Sequence, residues 1–196
     1  MSTEKIILKI EEHITLMNEI LENKMLIEKI NEIIQVIIIC YKNNNKVLLF
    51  GCGGSAADSQ HIAAEFINKF KFERRCLPAI ALTTDTSVIT AIGNDSDFDN
   101  IFSRQVEGIV RENDVVIGIS TSGKSQSVIR GLQAARNNKA ITIALTGSFD
   151  VELKKVTDYL ISLSSTSTPR IQEAHITIGH IICDGVEGEL FNEGIL

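Results

Sequence analysis

The 196-residue sequence predicts an α/β domain with a doubly wound, five-stranded parallel sheet and a helical extension at its N-terminus. Two observations predict this fold. Short apolar segments alternate with helix-like segments along most of the chain, which is the order expected of successive βαβ units. These segments are also apolar throughout, as in Val115–Ile119, and parallel strands covered on both faces have this character. We expect residues 1–196 to form a single domain.

Residues 3–42 are predicted to form two helices. Apolar side chains recur there at helical spacing, at Ile6, Ile7, Ile10, Ile14 and Met17 and again at Met25, Ile27, Ile30, Ile33, Ile34 and Ile37. The run Asn43–Asn45 then ends the pattern. One small sheet cannot cover so many apolar side chains, so we expect these to be oligomerisation helices that bury their apolar faces largely against other subunits.

Five strands and a long last helix follow. The strands are expected near residues 46–50, 79–82, 114–119, 141–145 and 159–163. Thr168 is a plausible N-cap of the last helix, with Pro169 at its first position, and the helix is expected to end near Glu187. Ligands of such sheets bind beyond the carboxyl ends of the strands.

Composition excludes several classes of function. The formal net charge is −6, and without a Lys/Arg cluster this argues against nucleic-acid binding. The four cysteines form no CxxC pair, which argues against a zinc finger or a disulfide framework. The first residues lack the charged region followed by an apolar region that is typical of a signal peptide. No apolar run is long enough to span a bilayer. We therefore expect a cytoplasmic protein without a membrane partner.

A glycine-rich turn follows the first strand, and a helix begins there. Gly51, Gly53 and Gly54 allow positive φ and close approach of a ligand to the backbone. The helix N-terminus offers unpaired N–H groups to an oxyanion or a sugar hydroxyl. His61 and Glu65 lie on one face of this helix because they are four residues apart. They suit metal binding or acid–base chemistry, although a solvated His–Glu pair is the commoner use of this spacing.

A second polar loop follows the third strand, at Ser120–Ser127. Its hydroxyls, a glycine turn and a helix N-terminus together suit a phosphate group. The spacing is not that of a Walker A loop. The alternative is that these Ser and Thr side chains only cap the helix, and Lys124 is either a phosphate contact or a solvated lysine.

Gln172 and His180 lie on the last helix, where eight residues separate them by roughly 12 Å along the axis. This distance is too long for two ligands of one ion on a straight helix. Either the helix begins irregularly, or one of the two residues serves a site in a neighbouring subunit. The remaining candidate groups are interpreted as structural or surface residues: His13, His175, Cys183 and Asp184.

Six segments in the same order resemble the phosphoheptose isomerases, also called sedoheptulose 7-phosphate isomerases, which have the sugar isomerase (SIS) fold, a flavodoxin-like arrangement. The segments are Cys52–His61, Leu82–Thr86, Ile92–Asp95, Phe102–Glu107, Ser120–Ser125 and Arg170–Glu173. Each motif is modest on its own, but together they extend over about residues 5–188. Six motifs in register make the resemblance specific.

The resemblance implies a homotetramer, with active sites at subunit interfaces, that converts sedoheptulose 7-phosphate to D-glycero-D-manno-heptose 7-phosphate through an enediol. This reaction leads to the heptose of bacterial surface glycans such as lipopolysaccharide and capsule. It implies zinc bound by His61, Glu65, Gln172 and His180, with Glu65 and His180 as the acid–base pair. Substrate contacts are implied at Gly53, Gly54, Ser55, Glu65, Asn94, Asp95, Ser120, Thr121, Ser122, Ser125 and Gln172.

Two positions depart from the family pattern. Where this chain has Cys52, the family usually has Asn, so this chain lacks an amide that could bond a sugar hydroxyl. Where this chain has Pro169, the family often has an acidic or small residue. A Glu that binds zinc tightly is also a weaker base, so two roles for Glu65 compete.

The rival hypothesis is a non-catalytic tetramer of the same fold that binds a replication-initiator protein, as one relative of this family does. Retention of all four implied ligands favours the enzyme.

Overall fold

The computed structural model describes residues 2–195 as a five-stranded parallel sheet between two layers of helices. In chain order the elements are α1 (Thr3–Glu22), α2 (Lys24–Lys42), β1 (Val47–Gly51), α3 (Gly54–Ile67), β2 (Ala79–Ala81), α4 (Thr86–Asp95), a 3-10 turn (Phe98–Asn100), α5 (Ser103–Ile109), β3 (Val115–Ser120), α6 (Gln126–Asn137), β4 (Ile141–Thr146), α7 (Val151–Lys154), β5 (Tyr159–Ser162) and α8 (Thr168–Asn192). The sheet order is β2-β1-β3-β4-β5, with every pair parallel. The predicted fold class and its five strands are confirmed.

Successive strand residues point to opposite faces of the sheet, and each face has its own core. On β1, Val47 and Leu49 join the core formed with α1, α2, α3 and α8. Leu48 and Phe50 join the core on the other face, with α5 and α6. All six residues of β3 are buried, which explains why this strand is apolar throughout.

The two N-terminal helices differ in what they bury. On α2, Ile30, Ile33 and Ile37 are buried within the same chain, so for this helix the expectation of burial against other subunits is wrong. The reason is that α2 packs against α8 and against β3 and β5 of the sheet. On α1 only Leu16 and Ile20 are buried. A row of large apolar side chains stays exposed on α1: Ile6, Ile7, Leu8, Ile10 and Ile14.

The last helix is longer than expected and begins one residue earlier. Its N-cap is Ser167, and Thr168 is already helical. It continues to Asn192 rather than ending near Glu187, because Val186 and Leu190 are fully buried and hold the extra turns against the core. None of the helices within residues 2–195 has the length and apolar character needed to cross a membrane.

Candidate active site

The glycine turn between β1 and α3 is an open backbone cradle at the carboxyl edge of the sheet. Gly53 has φ of 61° and precedes the first helical residue, so glycine is required there to avoid strain. Gly54 faces α8, where a Cβ would overlap the carboxamide of Gln172. The turn therefore presents backbone groups and the Gln172 amide to the same space, as expected of a ligand turn.

The hydroxyl loop after β3 lies beside this glycine turn. Cys52 Sγ is 3.4 Å from Ser127 Oγ, and Ser125 Oγ is 3.1 Å from Ser127 Oγ. Ser125 is the N-cap of α6, yet its side chain caps no helical N–H. The capping alternative thus does not account for Ser125, and the N–H groups at the start of α6 suit an anion.

The other hydroxyls of the loop have different surroundings. Ser120 is buried at the end of β3, and Thr121 is half-buried. Ser122 is exposed and accepts a hydrogen bond from the Lys124 N–H at 3.2 Å. Lys124 itself lies over the ring of Phe149, so its ammonium is turned toward the neighbouring loop after β4.

Three side chains from α3 and α8 converge on one point. His61 Nε2 is 3.1 Å from Glu65 Oε1 and 3.2 Å from His180 Nε2. The three ligand atoms all lie within 4.8 Å of one another. A tetrahedral zinc ion with bonds of about 2.05 Å separates its ligand atoms by about 3.3 Å. The two spacings from His61, 3.1 and 3.2 Å, are close to this value, and zinc commonly takes nitrogen and carboxylate oxygen ligands.

The spatial relation of α3 and α8 explains which residues meet. Gln172 lies at Gly54, near the start of α3, and a Cβ on Gly179 would touch Ile62 farther along α3. The helices therefore run side by side in the same direction, and His180 reaches His61 within one chain. Gln172 lies near the other end of this face, so its role as a metal ligand remains a prediction.

Asn94 and Asp95 lie at the exposed end of α4. The Asn94 amide donates to Asp95 Oδ1 at 2.7 Å. Within residues 2–195, neither side chain makes a hydrogen bond to the glycine turn or to the hydroxyl loop. Ser55 is buried in the first turn of α3. The implied substrate contacts of these residues therefore remain predictions.

Asp58 is an ionisable residue near His61 that was not singled out from the sequence. It is half-buried on α3, one turn before His61, and one carboxylate oxygen has no hydrogen-bond partner. Burial raises the pKa of Asp58, and the nearby His61 offsets this only in part. The spacing of three residues from His61 is the signal that could have identified it, because such residues share a helix face.

The chain also matches known proteins over most of its length. A model of the SIS domain matches residues 10–147. The phosphoheptose isomerase of Sulfurimonas denitrificans is 49% identical over 176 residues, covering 90% of each chain. That of Clostridium acetobutylicum is 50% identical over 187 residues, covering 95% of each chain.

Two solved structures have the same fold. The phosphoheptose isomerase of Francisella tularensis aligns with a TM-score of 0.91 at 33% identity, over 96% of this chain and all of that chain (100%). GmhA of Neisseria gonorrhoeae, also a phosphoheptose isomerase, aligns with a TM-score of 0.88 at 40% identity, over 94% of this chain and 98% of that chain. With half of its residues shared with such enzymes over nearly its whole length, the chain belongs to the SIS-domain family and, within it, to the phosphoheptose isomerases, which are aldose–ketose isomerases of sugar phosphates.

Proposed function

We propose that the protein converts sedoheptulose 7-phosphate to D-glycero-D-manno-heptose 7-phosphate in the cytoplasm, with zinc as cofactor. The observation that carries this proposal is the convergence of His61, Glu65 and His180, the first two of which lie on the helix that begins at the glycine turn. Sequence identity to named phosphoheptose isomerases supports the choice of substrate. The product would enter synthesis of the heptose of bacterial surface glycans, and the free cysteines of residues 2–195 suit a reducing compartment.

The hydroxyl loop would bind the phosphate end of the substrate. Ser125, at the N-terminus of α6, offers a hydroxyl that caps no helical N–H, together with backbone N–H groups, and the helix dipole favours an anion there. Ser120, Thr121 and Ser122 would complete this contact. The glycine turn, Ser55 and Gln172 would hold sugar hydroxyls, with Asn94 and Asp95 at the rim of the site.

Isomerisation moves one proton between adjacent carbons. A base takes the proton from C1 of the ketose while an acid protonates the C2 carbonyl oxygen, which forms an enediol. Loss of the O1 proton and protonation of C2 then yield the aldose. Glu65 and His180 would be the carboxylate and the imidazole that carry out these transfers. Zinc bound by His61, Glu65 and His180, with Gln172 as the fourth ligand, would supply a Lewis acid for the developing oxyanion.

We further propose a homotetramer with its active sites at subunit interfaces. The exposed apolar row on α1 supports a partner surface. The His61 side chain, about half exposed, supports a site that a neighbouring subunit closes. Gln172 and His180 of one chain are separated by roughly 12 Å along α8, which is too far for both to bind one ion. A site with four ligands would form if Gln172 of a neighbouring subunit joined His61, Glu65 and His180 of one chain.

Turnover of sedoheptulose 7-phosphate, followed by NMR to determine product stereochemistry, tests the function, together with zinc stoichiometry. Glu65→Gln and His180→Gln should each lower kcat by roughly 10²–10⁴-fold without loss of the folded assembly. Ile181→Gln, at an exposed neighbour on α8, is the matched control and should retain activity. An intact wild-type tetramer that binds zinc but does not turn over substrate would contradict the proposal and favour the protein-binding alternative.

A further inference from the structure

The loop that follows α3, residues 68–75, is tied to α8 by one buried carboxylate. Glu187 accepts hydrogen bonds from the backbone N–H groups of Phe70, Lys71 and Phe72, at 2.8, 2.5 and 3.1 Å. Burial opposes ionisation of Glu187, yet these donors and Arg74 keep its pKa below the usual value. A carboxylate bound by three successive N–H groups fixes the course of the backbone at this point.

The same carboxylate is linked to the end of α3 through Arg74, whose side chain is fully buried. Arg74 Nε donates to Glu187 Oε1 at 2.6 Å. The guanidinium also donates to the carbonyl oxygens of Glu65 and Phe66, at 2.8 and 2.9 Å. These carbonyls belong to the last turn of α3, where helical partners are missing. The loop is therefore held against both helices that carry the candidate metal ligands.

The consequence for the site is the position of one ring. Phe70 packs against His180, with ring centroids 5.7 Å apart and an interplanar angle of 40°. The His180 ring also faces the His61 ring, at a centroid distance of 4.9 Å. The imidazole of His180 therefore packs against both the His61 ring and the Phe70 ring.

We propose that Phe70 is a positioning residue that holds the imidazole of His180 toward His61 and Glu65. The Phe70 ring occupies space next to the imidazole, and this excludes the His180 rotamers that would enter the space of the Phe70 ring. This inference rests on the proposed function for its catalytic consequence, but the orientation of the ring can be observed without turnover.

The test compares Phe70→Leu, which removes the ring, with Phe70→Tyr, which keeps it. Phe70→Leu should lower kcat and weaken zinc binding, each roughly tenfold, with KM unchanged. Phe70→Tyr should retain the wild-type kcat and the wild-type zinc affinity. Phe72→Leu is the matched control, because Phe72 belongs to the same loop but stacks on Phe191 at 4.5 Å, and it should behave as wild type.

Crystal structures of the metal-free variants provide the second measurement. In Phe70→Leu the His180 ring should leave its place beside His61, and in Phe70→Tyr it should remain there. An unmoved ring together with unchanged zinc affinity in Phe70→Leu would overturn the inference. If the wild-type enzyme showed no isomerase activity, the proposed function would fail, and the ring positions would still decide the role of Phe70.

Discussion

His175 should make the stability of this protein fall between pH 6.5 and pH 4. The residue lies on α8 and is completely buried, and neither ring nitrogen makes a hydrogen bond of good geometry. Burial lowers the pKa of His175 from 6.5 to about 4, and the nearby Thr146 backbone offsets this only in part. The folded protein therefore resists protonation of a ring that protonates readily in the unfolded chain.

The sign and size of the effect follow from these two pKa values. Above pH 6.5 the ring is neutral in both states, so the full stability is present there. As the pH falls, the unfolded chain takes up the proton first, and the free energy of unfolding decreases until the pH reaches about 4. The loss amounts to about 1.4 kcal/mol at pH ~5.5 and about 2.5 kcal/mol at pH ~4.5. For a chain of this length, the second value lowers Tm by roughly 5–10 °C.

Urea unfolding at several pH values, on metal-free protein at one fixed concentration, measures this loss. His175→Leu removes the titrating ring, so its free energy of unfolding should fall by about 2.5 kcal/mol less than that of wild type between pH ~7.5 and ~4.5. His13→Leu, at a partly exposed position paired with Glu173, is the control and should show the wild-type loss. Equal losses in wild type and His175→Leu would refute the reasoning.

Two further predictions concern substrate binding and assembly. Ser125→Ala should raise KM for the sugar phosphate by roughly 10–150-fold with little change in kcat, because a hydrogen bond to a charged group contributes about 1.5–3 kcal/mol; steady-state kinetics with an unchanged KM would place the phosphate elsewhere. The double substitution Ile10→Glu with Ile14→Glu should dissociate the proposed tetramer, because it places charges on the exposed apolar face of α1. Val151→Glu, which changes an exposed apolar side chain outside α1, should leave the assembly intact. Sedimentation velocity decides, and a wild-type mass for the α1 variant would contradict the role of that face.

Local pattern was enough to predict much of the fold and part of the site. The apolar runs identified all five strands because parallel strands are buried on both faces. The four-residue spacing of His61 and Glu65 placed both side chains on one face of α3, since a helix repeats every 3.6 residues. The glycine turn and the hydroxyl loop could also be assigned to the carboxyl edge of the sheet, because they follow strands directly.

The tertiary structure alone decided how these local pieces meet. Helical periodicity shows that Gln172 and His180 are far apart on α8, but not which of them reaches His61. That choice depends on the packing of Gly179 against Ile62, a contact between residues more than a hundred positions apart. The link from Glu187 to the 68–75 loop is of the same kind. Such contacts carry no short-range signal, because the relative placement of two helices is set by the fit of their side chains, whereas each helix is determined by its own sequence.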